Sequence, residues 1–501
     1  MYSLFDYLEK SFFTYSNKIA VQTEGIEYSY KKVYENSLLL SSKISSFDLI
    51  DQSRVAILLS NRNEYWEAIV GINHSNMIAV PINSNLNHIQ INHIINDADI
   101  KIIITESAFK DRINKILQHK SLNIIYLDIN EDNTENKLIK CTSANINSSN
   151  NLFCIIYTSG TTGDPKGVSI SNNSMIMNAY AQIQVDYDNS KEIFLTSTPL
   201  YHLAALVRII STIIISGTQI IVRKYETDLF LKTINDYNVT STLLVPTMTL
   251  RIIEFLELKK LSLNSLKSII HGTTAVNVHY LKKIINLINC RHYVGWGLSE
   301  GGVMLTELSP EHYLRNSERF SSVGKPTLGC SLKINYKGNA SDGEVLVKSN
   351  RMMSRYWNSK YSAISNDGWL STGDTGYISD DGYLYITGRI KDLIIKGGVN
   401  ISPLEIEKEI LNNRLIKEVA VIGINDTYWG EDIALFVSAK KEINFDKFIL
   451  YLKTVLNKQT FPKYIIILNE LPKNDVGKIN KFFLKENFNN YNYIKFDEKQ
   501  N

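Results

Sequence analysis

The chain has 501 residues, 44% of them hydrophobic and 21% charged, with a net charge of only +3 at neutral pH. That composition fits a globular protein with several cores, and the length fits two to four domains or subdomains. So small a net charge, with lysines interleaved among acids, gives no electrostatic case for a nucleic-acid partner.

The first twelve residues, MYSLFDYLEKSF, carry acids and no basic leader, so no signal peptide is expected. Further on, the chain alternates between strand-like and helical patterns. The run at 55–59 precedes a helical stretch at 64–73. Runs at 78–82, 102–105, 220–222, 241–245 and 268–270 repeat the rhythm. This alternation predicts an α/β fold of layers with largely parallel sheets. Tracts rich in Asn and Ser at 130–137 and 143–151 read as loops. The apolar run at 204–217 is interrupted by Arg208 and is too short to span a bilayer. Past about residue 330 the texture becomes more antiparallel, with strands expected at 344–347 and 383–387. After Gly388 the order is strand, helix, strand, helix, at 393–396, 403–412, 419–424 and 445–456. We therefore expect a large N-terminal domain (1–388, with a β-rich subdomain from about 330) and a small α+β C-terminal domain (389–501). Cysteines stand far apart at 141, 154, 290 and 330, with no C-x-x-C pair. That removes the usual zinc and redox spacings and fits a reducing, cytoplasmic setting.

Residues 157–168 read YTSGTTGDPKGV, between two apolar, β-prone runs. Glycines let a backbone turn tightly and approach a ligand. Successive N–H groups in such a turn form an anion-binding concavity. Thr158, Ser159, Thr161 and Thr162 add hydroxyls, Gly160 and Gly163 add freedom, and Lys166 adds a cation. The expected ligand is a polyphosphate. A Walker A loop does not fit, because counting from Gly160 puts Pro165 where the second glycine should stand.

This stretch closely resembles the phosphate loop of the adenylate-forming superfamily, which includes the acyl-CoA synthetases, luciferases and nonribosomal adenylation domains. Other motifs of that family follow in order to residue 479. The resemblance implies an AMP-forming acid–thiol ligase that uses ATP, Mg²⁺ and CoA or phosphopantetheine. By resemblance, Pro199-Leu200-Tyr201-His202 places His202 at the acid pocket. The segment 270–275, with Gly272, Thr273 and Thr274, would lie against adenine, although two threonines replace the usual small residues, and His271 in it would wall the substrate pocket. Gly295-Trp296-Gly297-Leu298-Ser299-Glu300 resembles the family's Tyr-Gly-x-Thr-Glu. Trp296 would stack on the base, Gly295 would border the acid, Ser299 would contact the α-phosphate and Glu300 would hold Mg²⁺. Asp374 would bind the ribose hydroxyls, and Arg389 the ribose or phosphate. By the same resemblance, Lys391 would stand at the hinge position, Gly397 and Gly398 on the thiol's approach, and Lys478 would be the catalytic lysine.

The family's chemistry implies two steps. The acid attacks the α-phosphorus of ATP and pyrophosphate leaves. The small domain then rotates, and a pantetheine thiol takes the acyl group. Residues 203–207 are LAALV, with no aspartate to hold an α-amine, which argues against amino acids. Leu203 argues against a hydroxybenzoate, and Ile395 against luciferase-like oxidation. Arg208, in an apolar run expected to be helical, could hold a second carboxylate on the substrate, or it could reach the surface or pair with an internal acid. Two rival functions stand beside the CoA ligase. One is a ligase loading an acyl or peptidyl carrier protein, and the other is a non-catalytic nucleotide-binding protein.

Overall fold

The computed structural model describes residues 4–117, 122–128, 150–158, 165–186, 190–259, 261–272, 278–315, 317–336, 341–413, 415–439, 443–474 and 477–496. The expected loop tract at 130–137, nearly all of that at 143–151, and Cys141 lie outside these residues.

Two large sheets dominate the N-terminal part. One has nine strands, and six adjacent ones run parallel: Arg291–Leu298, Ser268–His271, Ser241–Leu244, Ile193–Thr196, Thr218–Ile221 and Ile19–Thr23. The other has seven, with a parallel set formed by Leu152–Thr158, Ile78–Pro81, Arg54–Leu58, Ile100–Thr105 and Asn123–Tyr126. Between the sheets lies a shared core. Trp66 and Ile69 of helix Glu64–His74 and Leu206, Ile209 and Ile210 of helix Leu203–Ile214 meet Val21 and Ile221 of one sheet and Ile57 and Ile170 of the other. Helix Leu203–Ile214 is apolar on nearly every side, and such a helix is stable only when buried all round. Leu203 and every residue from Ala205 to Ile213 are buried.

Beyond these sheets, four antiparallel strands form the β-rich subdomain: Cys330–Tyr336, Gly343–Ser349, Leu370–Ile378 and Leu384–Arg389. The last ends at Arg389, and Ile394 opens the first strand of a further six-stranded sheet. At the centre of that sheet is Gly430–Ala439, which pairs with Ile416–Asp426 over its whole length and with Tyr464–Leu468 in parallel. The sequence reading found no strand at 430–439. Its opening residues, Glu431 and Asp432, look like surface charges, yet Asp432 is buried in an ion pair with Lys396, Oδ1 to Nζ at 2.7 Å. Among the described residues no helix is long and apolar enough to cross a membrane.

Candidate active site

The strand pair at the phosphate-loop motif is an antiparallel hairpin, with Thr158 opposite Lys166. Ser159, Gly160, Thr161, Thr162 and Gly163 lie outside the described residues, as do Thr273 and Thr274 of the expected adenine segment. The short strand Arg355–Tyr356 adds to the hairpin's edge, with Tyr356 opposite Val168. This register sets the Tyr356 ring 5.8 Å and the Tyr361 ring 5.9 Å from the Lys166 ammonium. The Tyr356 hydroxyl donates to Glu300 Oε1 at 3.0 Å. Glu300 is held again through its backbone, whose carbonyl accepts from Met353 N at 2.8 Å. Burial and the Glu300 carboxylate both raise the Tyr356 pKa, so its phenol stays protonated. No local motif marks this segment, since SNRMMSRYWN has no glycine or catalytic-looking pair, and only the sheet register brings it to the hairpin.

Trp296 lies on strand Arg291–Leu298, and its indole N–H donates to Asp374 Oδ2 at 3.0 Å. Asp374 and Arg389 are direct cross-strand partners. Arg389 Nε stands 2.7 Å from Asp374 Oδ1, but its N–H is not aligned for a hydrogen bond. Among the described residues that buried oxygen keeps an open acceptor. Gly297 is packed so tightly that a Cβ would sit 2.6 Å from the Gly302 carbonyl oxygen. Gly295 faces Met304, whose Sδ would collide with a Cβ there. Gly272 is less crowded, its nearest neighbour being the Gly295 carbonyl oxygen at 3.6 Å from a built Cβ.

Lys478 joins this group from the small domain. It belongs to a turn closed by Asn474 N donating to the Lys478 carbonyl at 2.7 Å and Lys478 N donating to Asn474 Oδ1 at 2.9 Å. Gly477, at φ +75°, packs directly on the start of helix Pro246–Leu258, and a Cβ there would collide with Thr247 Oγ1. That close approach requires glycine in this left-handed conformation. Burial and the Arg389 charge lower the lysine's pKa to about 8, while Asp374 acts in the opposite direction.

His202 caps the N-terminus of helix Leu203–Ile214, its ring 4.6 Å from that of Tyr201. Buried Asn61 fixes the loop before it, accepting from Leu200 N at 3.0 Å and donating to Thr198 O at 3.1 Å. Nothing in the sequence around Asn61 signals this tie. Arg208 does not reach the surface. It is buried, with its guanidinium carbon 3.6 Å from the centre of the Phe194 ring.

His271 departs from the expectation of a substrate-pocket wall. Its ring is fully buried, and Nε2 lies 3.0 Å from Nδ1 of His292. The next donor in the chain, His292 Nε2, reaches the Ile288 carbonyl at 2.9 Å. Strand alternation puts His271 on the face of Ile269, under helices Pro246–Leu258 and Val278–Leu287. Ile270 points the other way, toward Val185, Tyr293 and Met304. Desolvation drives the His271 pKa well below its ordinary value, so the ring is neutral.

Ser299 lies half-buried in the turn before Glu300. Lys391 sits in a single 3₁₀ turn, Ile390–Asp392, between the last strand of the four-stranded sheet and the first of the six-stranded one. Gly397 and Gly398 both have positive φ, and a Cβ on Gly397 would lie 2.7 Å from the Trp429 ring. These glycines form the turn between strands Ile394–Lys396 and Val399–Ile401 of the six-stranded sheet.

Comparisons with known proteins cover nearly the whole chain. The family model for AMP-binding enzymes matches residues 8–357, and that for the AMP-binding enzyme C-terminal domain matches residues 405–478. A 2-succinylbenzoate–CoA ligase from Oceanobacillus iheyensis is 29% identical over 470 residues, covering 92% of this chain and 95% of that protein. A long-chain-fatty-acid–CoA ligase from Bacillus subtilis is 27% identical over 529 residues, covering 96% and 94%. Among solved structures, the O-succinylbenzoate coenzyme A synthetase of Bacillus subtilis, in complex with ATP and magnesium ion, has a TM-score of 0.81 at 25% identity. The match covers 94% of this chain and 98% of that one. With a family model spanning most of its length and both lobes accounted for, this chain belongs to the AMP-binding enzyme family.

Proposed function

We propose that the chain is an AMP-forming acid–thiol ligase that activates a carboxylic acid with ATP, releases pyrophosphate and passes the acyl group to CoA. One observation carries this reading. Lys478 of the small domain is close enough to feel the charges of Asp374 and Arg389, cross-strand partners in the four-stranded sheet, next to the indole of Trp296. That junction suits a nucleotide. The open acceptor on Asp374 fits a ribose hydroxyl, and the Trp296 ring offers a face to the base. In the first step two anions approach each other, so preorganised positive charge lowers the barrier. Lys478 and Lys166 supply it, with the loop at 158–163 cradling the triphosphate.

Glu300 fits Mg²⁺. It is a half-buried carboxylate, and among the described residues no cluster of three or more acidic, His or Cys side chains could hold a metal. A metal here would therefore rest on one carboxylate and the substrate's phosphates, a pattern that suits Mg²⁺. When bound, the ion would neutralise charge on the phosphates. In the second step the small domain turns about Lys391, withdraws Lys478 and presents Gly397 and Gly398 to the incoming thiol. The curated relatives above are both named as CoA ligases, which favours CoA over a carrier protein. A cytoplasmic location belongs to the same proposal.

The acid itself would run down the sheet face formed by Leu243, Ile270, Tyr293 and Met304. Phe194 is level with Ser241, and Leu244 three residues later is level with His271. Arg208, stacked on Phe194, thus lies roughly 10 Å below the strand end at His271. A guanidinium at that depth favours an acid carrying a second carboxylate about that far from the first. Release of AMP, measured over mono- and dicarboxylic acids with and without CoA, tests both claims. The expected result is CoA-dependent turnover of a dicarboxylate, lost by at least tenfold in Arg208→Leu. An acid profile unchanged by that substitution rejects the second carboxylate, and no AMP release with any acid rejects the ligase.

A further inference from the structure

Tyr356 touches both groups that would meet the triphosphate, yet the two steps above leave it without a role. Its hydroxyl donates to Glu300 Oε1 at 3.0 Å. Its ring, with that of Tyr361 at 6.2 Å and 24° to it, forms an aromatic corner on which the Lys166 ammonium rests. Its backbone is fixed by the pairing of Arg355–Tyr356 with Lys166–Ser171, and Trp357 N donates to the Gly167 carbonyl at 2.7 Å. Gly167 is pressed against that segment, where a Cβ would lie 3.0 Å from Trp357 Cβ. One residue therefore ties the edge of the phosphate hairpin to the Glu300 turn.

We infer that Tyr356 is a positioning residue that sets the metal carboxylate and the loop lysine at a fixed spacing, so that Mg²⁺ and Lys166 engage one triphosphate together. The hydroxyl occupies Oε1 of Glu300, which would leave Oε2 to hold Mg²⁺. The aromatic face holds Lys166 by cation–π attraction, which keeps the ammonium extended rather than folded onto Glu300. The two functions sit on different parts of one side chain, so two substitutions separate them.

This inference rests on the proposed use of ATP and Mg²⁺. Its test measures binding, not turnover: nucleotide affinity by calorimetry with a non-hydrolysable ATP analogue, and Mn²⁺ affinity of that complex by electron paramagnetic resonance. Tyr356→Phe removes the hydroxyl and keeps the ring. It should weaken Mn²⁺ binding about tenfold and leave metal-free nucleotide binding within about twofold. Tyr356→Leu should weaken Mn²⁺ binding as much and metal-free nucleotide binding about threefold more. Tyr361→Leu, at an exposed position, should weaken only the metal-free nucleotide binding, and it carries the ring test if Tyr356→Leu does not fold. Mn²⁺ affinity of Tyr356→Phe equal to the parent's overturns the role of the hydroxyl. Nucleotide binding unmoved by loss of either ring overturns the role of the corner. A parent chain that binds the metal–nucleotide complex while both variants match it rejects this inference alone, whereas a parent that binds no nucleotide rejects the functional reading.

Discussion

Two of the places where the molecule sets a lysine near an aspartate could hardly be more different. Within the small domain, Lys396 and Asp432 are both almost wholly buried at 2.7 Å, and Asp432 Oδ1 also accepts from its neighbour Ile433 N at 2.8 Å. Asp426 and Lys463 extend that network, with Lys463 4.0 Å from Asp432. At the junction between the domains, Asp374 is shared by Trp296 and Arg389, and Lys478 arrives from a glycine turn that packs on Thr247. The first cluster is closed and serves the fold. The second keeps an open acceptor and brings in its lysine on a separate domain, as a site must if a substrate is to enter and leave. Burying a charge is tolerated where the partners are fixed. Where one partner is meant to move, the charge is left poised instead.

Removing one partner from the closed cluster should have the largest effect. Asp432→Ala leaves Lys396 buried without its carboxylate and should destabilise the chain by about 3–5 kcal/mol, read as a shift in denaturant midpoint. A shift below about 1 kcal/mol would mean the cluster is solvated and the contrast false.

The open cluster should respond to pH. Lys478 has its pKa lowered from 10.5 to about 8 in this pose. Its cationic form, the one that assists the phosphates, predominates below that value. The kcat/KM for ATP should therefore fall as pH rises through about 8. Between pH 8 and 10.5 the docked pose binds fewer protons than one with the lysine in water. By linkage, rising pH favours docking even as it removes the charge. The loss should then appear without undocking, and Lys478→Arg should flatten the limb.

A smaller effect is expected at the rim. Trp296→Phe keeps a ring for the base and deletes the N–H bond to Asp374. It should raise KM for ATP roughly three- to tenfold with little change in kcat. An equal loss in kcat would place the indole in the reacting geometry rather than in nucleotide binding.

Much of this was legible in the sequence. Alternating apolar runs predicted layers with largely parallel sheets, which the two large sheets match, and the expected helix at 206–210 is part of Leu203–Ile214. The ordered motifs carry Trp296, Asp374, Arg389 and Lys478 to one junction. What escaped was whatever only the sheet register or burial determines. Strand Gly430–Ala439 was hidden because its acids look solvated, although Asp432 is neutralised internally. Tyr356 and Asn61 carry no local signature, since Glu300 and Leu200, which their side chains hydrogen-bond, lie 56 residues and more away. The expectation for His271 came from its neighbours in sequence. One step along a strand reverses the face, so Ile270 points toward Met304 and His271 toward the opposite core.

The most direct measurement separates the two half-reactions in Lys478→Ala. ATP–pyrophosphate exchange reads the first, and thioester formation from a preformed acyl-adenylate and CoA reads the second. Exchange should fall about 10²–10³-fold while thioester formation stays near the parent rate. Exchange at the parent rate would contradict the account, because the lysine that crosses between domains would then have no part in forming the adenylate.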